Sequence, residues 1–284
     1  MLDFYAISDK NGDPKEALGE GEKLSVYYHD IFDYPLTFAD LIKWNVGSAY
    51  RTSKRNLSVV CKNGYFVLKK KEGLVYKRAL RERISSQKME IAKNAAKVLS
   101  RLQGIKMIGV TGSLAMANSG EESDIDFLII TKSGHLWSTR LFAYIVISLF
   151  GFSARRSNDS SQKDKLCLNM WMDESDLIWR NPRNIYTAHE IAQIVPLVNK
   201  KETYEEFLSK NRWILKYWPN SVKIKSPKLR TRKMHSRQNI FEILAFRFQY
   251  LHMKGKLTRE IITRTRAIFH PNDWGKVVLS RLST

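Results

Sequence analysis

Cysteine is scarce in this chain of 284 residues: there are two, Cys61 and Cys167. They offer neither the paired spacing of a zinc site nor the framework of a disulfide-stapled secreted domain, so a reduced, cytoplasmic setting is the expectation. Long apolar runs are also missing. The longest, Leu136 to Phe152, is interrupted by Arg140 and falls short of the roughly 20 residues that span a bilayer, so no membrane partner is expected. The opening Met1-Leu2-Asp3-Phe4-Tyr5 lacks a signal-peptide pattern. There is no internal repeat and no low-complexity tract. Acids are in deficit, with 28 Asp and Glu against 48 Lys and Arg and a formal charge of +20.

Aromatic residues are abundant, with 7 Trp, 12 Tyr and 13 Phe, and 43% of the chain is hydrophobic. That composition excludes disorder and suffices for two or three small domains. The positive charge is concentrated at two places. Residues 51–106 hold 16 Lys and Arg against 3 acids, and residues 223–284 hold 15 against 3. Two basic regions flanking a mildly acidic centre favour a polyanionic partner, RNA or DNA.

The centre is the informative stretch. Val110-Thr111-Gly112-Ser113 is followed, after a polar gap, by Ser123-Asp124-Ile125-Asp126 and the apolar run Phe127 to Ile130. The run reads as a buried strand. Alternate residues of a strand share a face, so Asp124 and Asp126 point the same way. Two neighbouring carboxylates repel unless a charge offsets them, and Mg²⁺ does so with one or two carboxylates plus substrate phosphates. Gly112 permits close backbone approach to a ligand, and Ser113 adds a hydroxyl beside N–H groups that can hold a phosphate.

This stretch resembles the signature of the nucleotidyltransferase fold of the DNA polymerase beta superfamily, most closely the minimal and aminoglycoside nucleotidyltransferases. The resemblance spans about twenty residues and implies an α/β (α+β) core: a mixed sheet flanked by helices, over about residues 105–195. It implies an NTP substrate and a Mg²⁺ or Mn²⁺ cofactor. Asp124 and Asp126 would be the catalytic, metal-holding pair. Gly112, Ser113 and Ser123 would be nucleotide-binding, with Ser123 orienting the first aspartate. The single departure concerns a third carboxylate, expected on the strand after the next helix. Leu166 to Met172 has none inside it; Asn169 is the polar residue nearest in place, and Asp164 and Asp173 stand at the strand ends.

Elsewhere the pattern gives helices. Residues 1–21 read as a loose segment. Leu24, Tyr27, Tyr28, Ile31 and Phe32 lie at helical spacing; Thr37 caps a second helix to Val46; Ser48 opens a third whose apolar face is Tyr50, Leu57, Val60 and Cys61. Strands at Tyr65–Leu68 and Leu74–Tyr76 follow. Three helices and a hairpin resemble a winged-helix domain over 22–77, with Arg51, Lys54 and Arg55 on the third helix and Lys69, Lys70 and Lys71 in the wing as nucleic-acid contacts. A packing or dimerisation role is equally open. The core is assigned to 78–198. It starts with a helix over 78–103, Ser85 or Ser86 capping its second part, and holds an apolar helix His135–Phe150 whose Trp137, Leu141, Ile145 and Leu149 read as core, with Arg140 reaching the surface. A helix over 184–195 carries Tyr186, His189 and Glu190, read as a solvated face with substrate contact as the alternative. The remainder, 199–284, is a basic helical extension, with a helix from Thr203 to Tyr217, a basic linker over 221–237, an apolar helix over 239–253 that must pack on the body or on a second copy, and a helix over 257–269 offering Arg259, Arg264 and Arg266 to RNA.

The function expected is transfer of a nucleoside monophosphate from an NTP to a hydroxyl acceptor, an RNA 3′ end or another polyanion. The alternatives are a catalytically degenerate domain that scaffolds nucleic acid and an antitoxin-like transferase that modifies a protein.

Overall fold

A computed structural model of the chain describes residues 18–50, 58–156, 159–225, 240–255, 260–269 and 274–283. The elements in chain order are α1 (Glu20–Asp30), β1 (Leu36–Thr37), α2 (Phe38–Lys43), β2 (Val59–Lys62), β3 (Tyr65–Leu68), α3 (Leu74–Leu99), β4 (Ile105–Val110), α4 (Gly112–Ala115), β5 (Ile125–Thr131), α5 (Leu136–Leu149), β6 (Leu166–Asp173), α6 (Ile185–Ala192), β7 (Val195–Asn199), α7 (Thr203–Lys210), α8 (Ile240–Lys254), β8 (Ile261–Ile262), β9 (Arg266–Ile268) and α9 (Trp274–Ser283). Short 3-10 helices cover Lys200–Glu202 and Arg212–Lys216. No helix among the described residues is long and apolar enough to cross a membrane.

The fold is the mixed α/β class expected. A six-stranded sheet has the order β7-β4-β5-β6-β9-β8, with β5 and β6 parallel and the other neighbours antiparallel. The two faces of β5 sort the core by the period-two rule. Phe127 and Ile129 join Trp137, Ala143 and Ala95 beneath α3 and α5. Leu128 and Ile130 join Tyr28, Trp44, Ile185 and Trp218, so α1, α2 and α6 share the core on the opposite face. Asp126 belongs to this second face by alternation, and the N-terminal helices therefore stand over it.

At the N-terminus Thr37 caps α2 with a reciprocal capping box: its hydroxyl accepts from the Asp40 N–H, and the Asp40 carboxylate accepts from the Thr37 N–H. Val60 and Cys61 are strand residues of β2 rather than the face of a third helix. Their hairpin turns at Asn63-Gly64, both at positive φ, as a tight turn requires. Leu74-Val75-Tyr76 is the first turn of α3 and not a strand, because Leu36 and Thr37 already occupy the outer edge of β3. Lys69, Lys70 and Lys71 accordingly lie after the hairpin, exposed, with Lys71 ion-paired to Asp30. Arg51, Lys54 and Arg55 lie outside the described residues.

Three further expectations change. α3 runs unbroken through Ser85 and Ser86; the buried Ser85 hydroxyl accepts from the Ser119 N–H instead of capping. Arg140 is buried, donating to Gln249 and Tyr144; Trp137 is core as expected, but Ile145 and Leu149 are exposed, because the buried face of α5 runs through Leu136, Trp137, Arg140, Ala143 and Ile147. Within the span expected as a helix over 257–269, residues 261–268 form the hairpin β8–β9, which extends the sheet through β6. Arg266 is buried there, paired with the Asp176 carboxylate at 2.7 Å, and offers no basic face; Arg259 lies outside the described residues. β7 and α9 were not foreseen. α8 does pack on the body: its Glu242 carboxylate accepts from the Trp137 and Ser138 N–H groups, closing the open N-terminus of α5.

Candidate active site

β4 ends at Val110, and the chain turns through Thr111 into the single turn α4. Gly112 makes the turn at φ +62°, and a Cβ there would lie 2.8 Å from Asp126 Oδ2. Backbone and carboxylate are thus in close approach, which only glycine accommodates without displacement. Asn118 ties this loop to the N-terminal helices: its amide donates to the Phe32 carbonyl at 3.0 Å and accepts from Arg81 at 3.1 Å. The Ser113 and Ser119 hydroxyls lie 3.1 Å apart.

A cavity of about 440 Å³ opens beside this turn. Asp124, Asp126, Gly112, Ser113 and Asn169 line one side; His29, Phe32, Tyr34, Tyr186, His189 and Glu190 line the other. The sheet thus brings together four of the five nucleotide- and metal-site residues expected from sequence. Ser123 is held elsewhere, its hydroxyl accepting from the Gly120 N–H at 3.0 Å and its carbonyl accepting from Lys88 at 2.8 Å.

Burial first, then the neighbouring Asp124, pushes the Asp126 carboxyl up to about 7. Arg155 donates to Asp124 Oδ2 at 2.7 Å and approaches Cys167 Sγ at 3.6 Å. Asn169 donates to Asp126 Oδ1 at 2.9 Å, while its own Oδ1 is buried with no hydrogen-bond partner. Asn169 therefore faces the aspartate pair across the cavity wall. Asp164 is engaged by Lys88 at 2.6 Å, and Asp173 accepts from Gly134 and Ser175; neither lines the cavity. The ligating atoms of Asp124, Asp126 and Cys167 all lie within 4.8 Å of one another. A carboxylate pair short of counter-charge, with an orphaned amide oxygen beside it, fits a hard divalent cation.

The opposite wall was poorly legible from sequence. His189 is buried and Glu190, half-buried, lines the cavity, so neither stands on a solvated face. Burial, then Asp126, raises the Glu190 carboxyl to about 8, and Gln193 donates to it at 2.8 Å. His29 and His189 meet at 3.1 Å between their Nε2 atoms. Nδ1 of His29 lies 2.8 Å from the Ser25 carbonyl, which only accepts, so Nδ1 carries the proton and Nε2 is bare. His189 must then donate from Nε2. Burial lowers His29 to about 4, against a weaker raising effect of the Ser25 carbonyl and Asp40, with Arg78 and Lys43 adding to the lowering. His189 is lowered well below its ordinary value by burial, then by His29 and Lys43. A His with a depressed folded pKa stabilises the fold above its unfolded pKa of 6.5 and loses that contribution as the pH falls towards 4. His29→Asn should therefore cost stability at pH 7.5, and the cost should shrink by roughly 2 kcal/mol by pH 5, since only the native protein pays to keep the imidazole neutral. Urea unfolding at both pH values checks this; an equal cost at both would contradict the neutral pair.

Residues 92–169 match the family model described as a nucleotidyltransferase domain, a little over a quarter of the chain. No curated protein and no solved structure matches the chain.

Proposed function

From the nucleotidyltransferase domain that this chain carries over residues 92–169, we propose that the cavity moves a nucleoside monophosphate from an NTP to a hydroxyl acceptor. The observation that carries this reading is the convergence of Asp124 and Asp126 beside the Gly112-Ser113 turn, with Asp126 pushed up to about 7 by burial and then by Asp124. A Mg²⁺ or Mn²⁺ ion held by Asp124 and Asp126 would offset the triphosphate charge and favour ionisation of the acceptor hydroxyl. The remaining work falls to the chain. Gly112 and Ser113 receive the β- and γ-phosphates on backbone N–H and hydroxyl groups. The acceptor oxygen bonds to the α-phosphorus, the α–β bridging bond breaks, and pyrophosphate leaves with its electron pair. The hydroxyl proton goes to Glu190 on the far wall in its ionised form, which, with the carboxyl raised to about 8, is the minor form at neutral pH.

The acceptor is an RNA 3′ end or another polyanion. The charge of +20 supports this, as do the exposed Lys69, Lys70 and Lys71. The cavity lining itself carries three carboxyls and one arginine, so only the terminal hydroxyl of a polyanion enters, and its phosphates stay on the basic exterior. The N-terminal part, 22–77, is read as a winged-helix-like module; α1, α2 and the three-stranded sheet of order β1-β3-β2 support that. Asn169 in place of a carboxylate favours a second reading, a domain that holds NTP without transfer.

Incubation with each labelled NTP and Mg²⁺ or Mn²⁺, against small RNA and against cell protein, tests the choice, with Asp124→Ala/Asp126→Ala as control. Label on RNA, absent from the control, is the expected result. Label on protein alone would replace the RNA acceptor, and nucleotide binding without any transfer would leave the second reading.

A further inference from the structure

Arg155 is delivered to the site by its backbone. Its N–H donates to the Leu166 carbonyl at 2.9 Å, and the preceding Ala154 bridges Leu166 in parallel fashion. The residue is thereby tied to β6, one strand from the aspartates. Its side chain lines the cavity and lies on Asp124 Oδ2 at 2.7 Å. The pair is only partly shielded: the Arg155 side chain is 32% exposed and that of Asp124 13%. Among the described residues Arg155 is the only lysine or arginine that lines the cavity.

Resting on the nucleotidyltransferase reading, we propose that Arg155 is a resident counter-cation, exchanged when metal and nucleotide arrive together. The guanidinium occupies one of the two Asp124 carboxylate oxygens, Oδ2, and offsets the charge that would attract a divalent ion. A metal ion arriving alone must displace a tethered cation and leave that cation unpaired among like charges. A triphosphate arriving with the metal supplies new anionic oxygens, so Arg155 leaves Asp124 and forks onto the phosphate chain. The number of ion pairs is then kept. Metal and NTP consequently bind with positive coupling, and by linkage each raises the affinity of the other by the same factor. The device also keeps the site from filling with metal when no substrate is present.

The test is Mn²⁺ binding, read from the free-ion electron paramagnetic resonance signal, with and without an α,β-methylene NTP analogue that cannot be cleaved at that bond. Native protein, Arg155→Ala and Arg155→Lys are compared. Arg155→Ala is expected to bind Mn²⁺ alone about tenfold more tightly, the scale of one partly buried charge-assisted contact. The same variant should bind the analogue more weakly in the presence of Mn²⁺, so that the coupling collapses, with Arg155→Lys between the two. If Arg155→Ala binds Mn²⁺ no more tightly than native protein does, the exchange is wrong and the ion pair is structural. If none of the three proteins takes up Mn²⁺ even with the analogue, the nucleotidyltransferase reading fails as well.

Discussion

Asp126→Asn is expected to abolish nucleotidyl transfer, on the order of a thousandfold, and at the same time to make the metal-free protein more stable at neutral pH. The two effects share one cause. In the folded protein the Asp126 carboxyl is pushed up to about 7 from an ordinary 3.8, by burial and then by Asp124. A raised carboxyl stabilises the fold below its unfolded pKa, and that contribution is lost as the pH rises through the folded value. Between pH 3.8 and 7 the native protein therefore loses stability that the amide does not lose. Above pH 7 the advantage of Asn should reach about 2 kcal/mol, because water in the cavity screens part of the full value. The Asn169 amide can still donate to the side-chain oxygen at position 126, so that hydrogen bond does not decide the outcome. Chemical denaturation at pH 4.5 and 8, beside the labelled-NTP assay, reads both effects. A variant that is inactive and also less stable at pH 8 would show that Asp126 is a structural carboxylate. The same proton competes with the metal, so Mn²⁺ affinity of the native protein should rise as the pH passes through 7.

Gly112→Ala carries the second largest effect. At φ +62° an L-residue pays about 1 kcal/mol of backbone strain, which the fold can bear. The larger consequence is local. The new methyl carbon would sit 2.8 Å from Asp126 Oδ2, inside contact distance, so either the turn or the carboxylate must move. Moving the carboxylate takes it off the Asn169 amide and out of line with Asp124. Misplacing a reacting group by about 1 Å costs on the order of a hundredfold in rate. Transfer should therefore fall about a hundredfold, with the thermal midpoint lowered by only a few degrees. Comparison with Gly64→Ala separates strain from contact: Gly64 is also at positive φ, at +79°, but a Cβ there meets nothing. Equal activity loss in both would mean that backbone strain, not the Asp126 contact, governs the site.

The sequence by itself determined the half of the site that is local. Asp124, Ile125 and Asp126 needed only strand periodicity to be placed, and Gly112-Ser113 only its turn chemistry, because both signals are carried by covalent neighbours. The strands β4, β5 and β6 and the helices α1, α2 and α5 followed from the same short-range rules. Tertiary structure decided the rest. The pattern at Tyr186, His189 and Glu190 shows a helix but does not say what covers it; α1 and Trp218 do, and they bury His189 against His29 across 160 positions of chain. Leu74 to Tyr76 has strand-like composition yet is helical, since Leu36 and Thr37 take the sheet edge first. Residues 261–268 fall in a span that reads from sequence as a basic helix, but pairing with β6 and the buried Arg266–Asp176 contact hold them extended. Propensity is worth tenths of a kcal/mol per residue, and the hydrogen bonds and burial gained at a sheet edge outweigh it. Asn169 lies between the two regimes: its departure from the expected carboxylate is visible in the sequence. That it, rather than Asp164 or Asp173, faces Asp126 is set by the bulged register of β5 on β6, which no local pattern encodes.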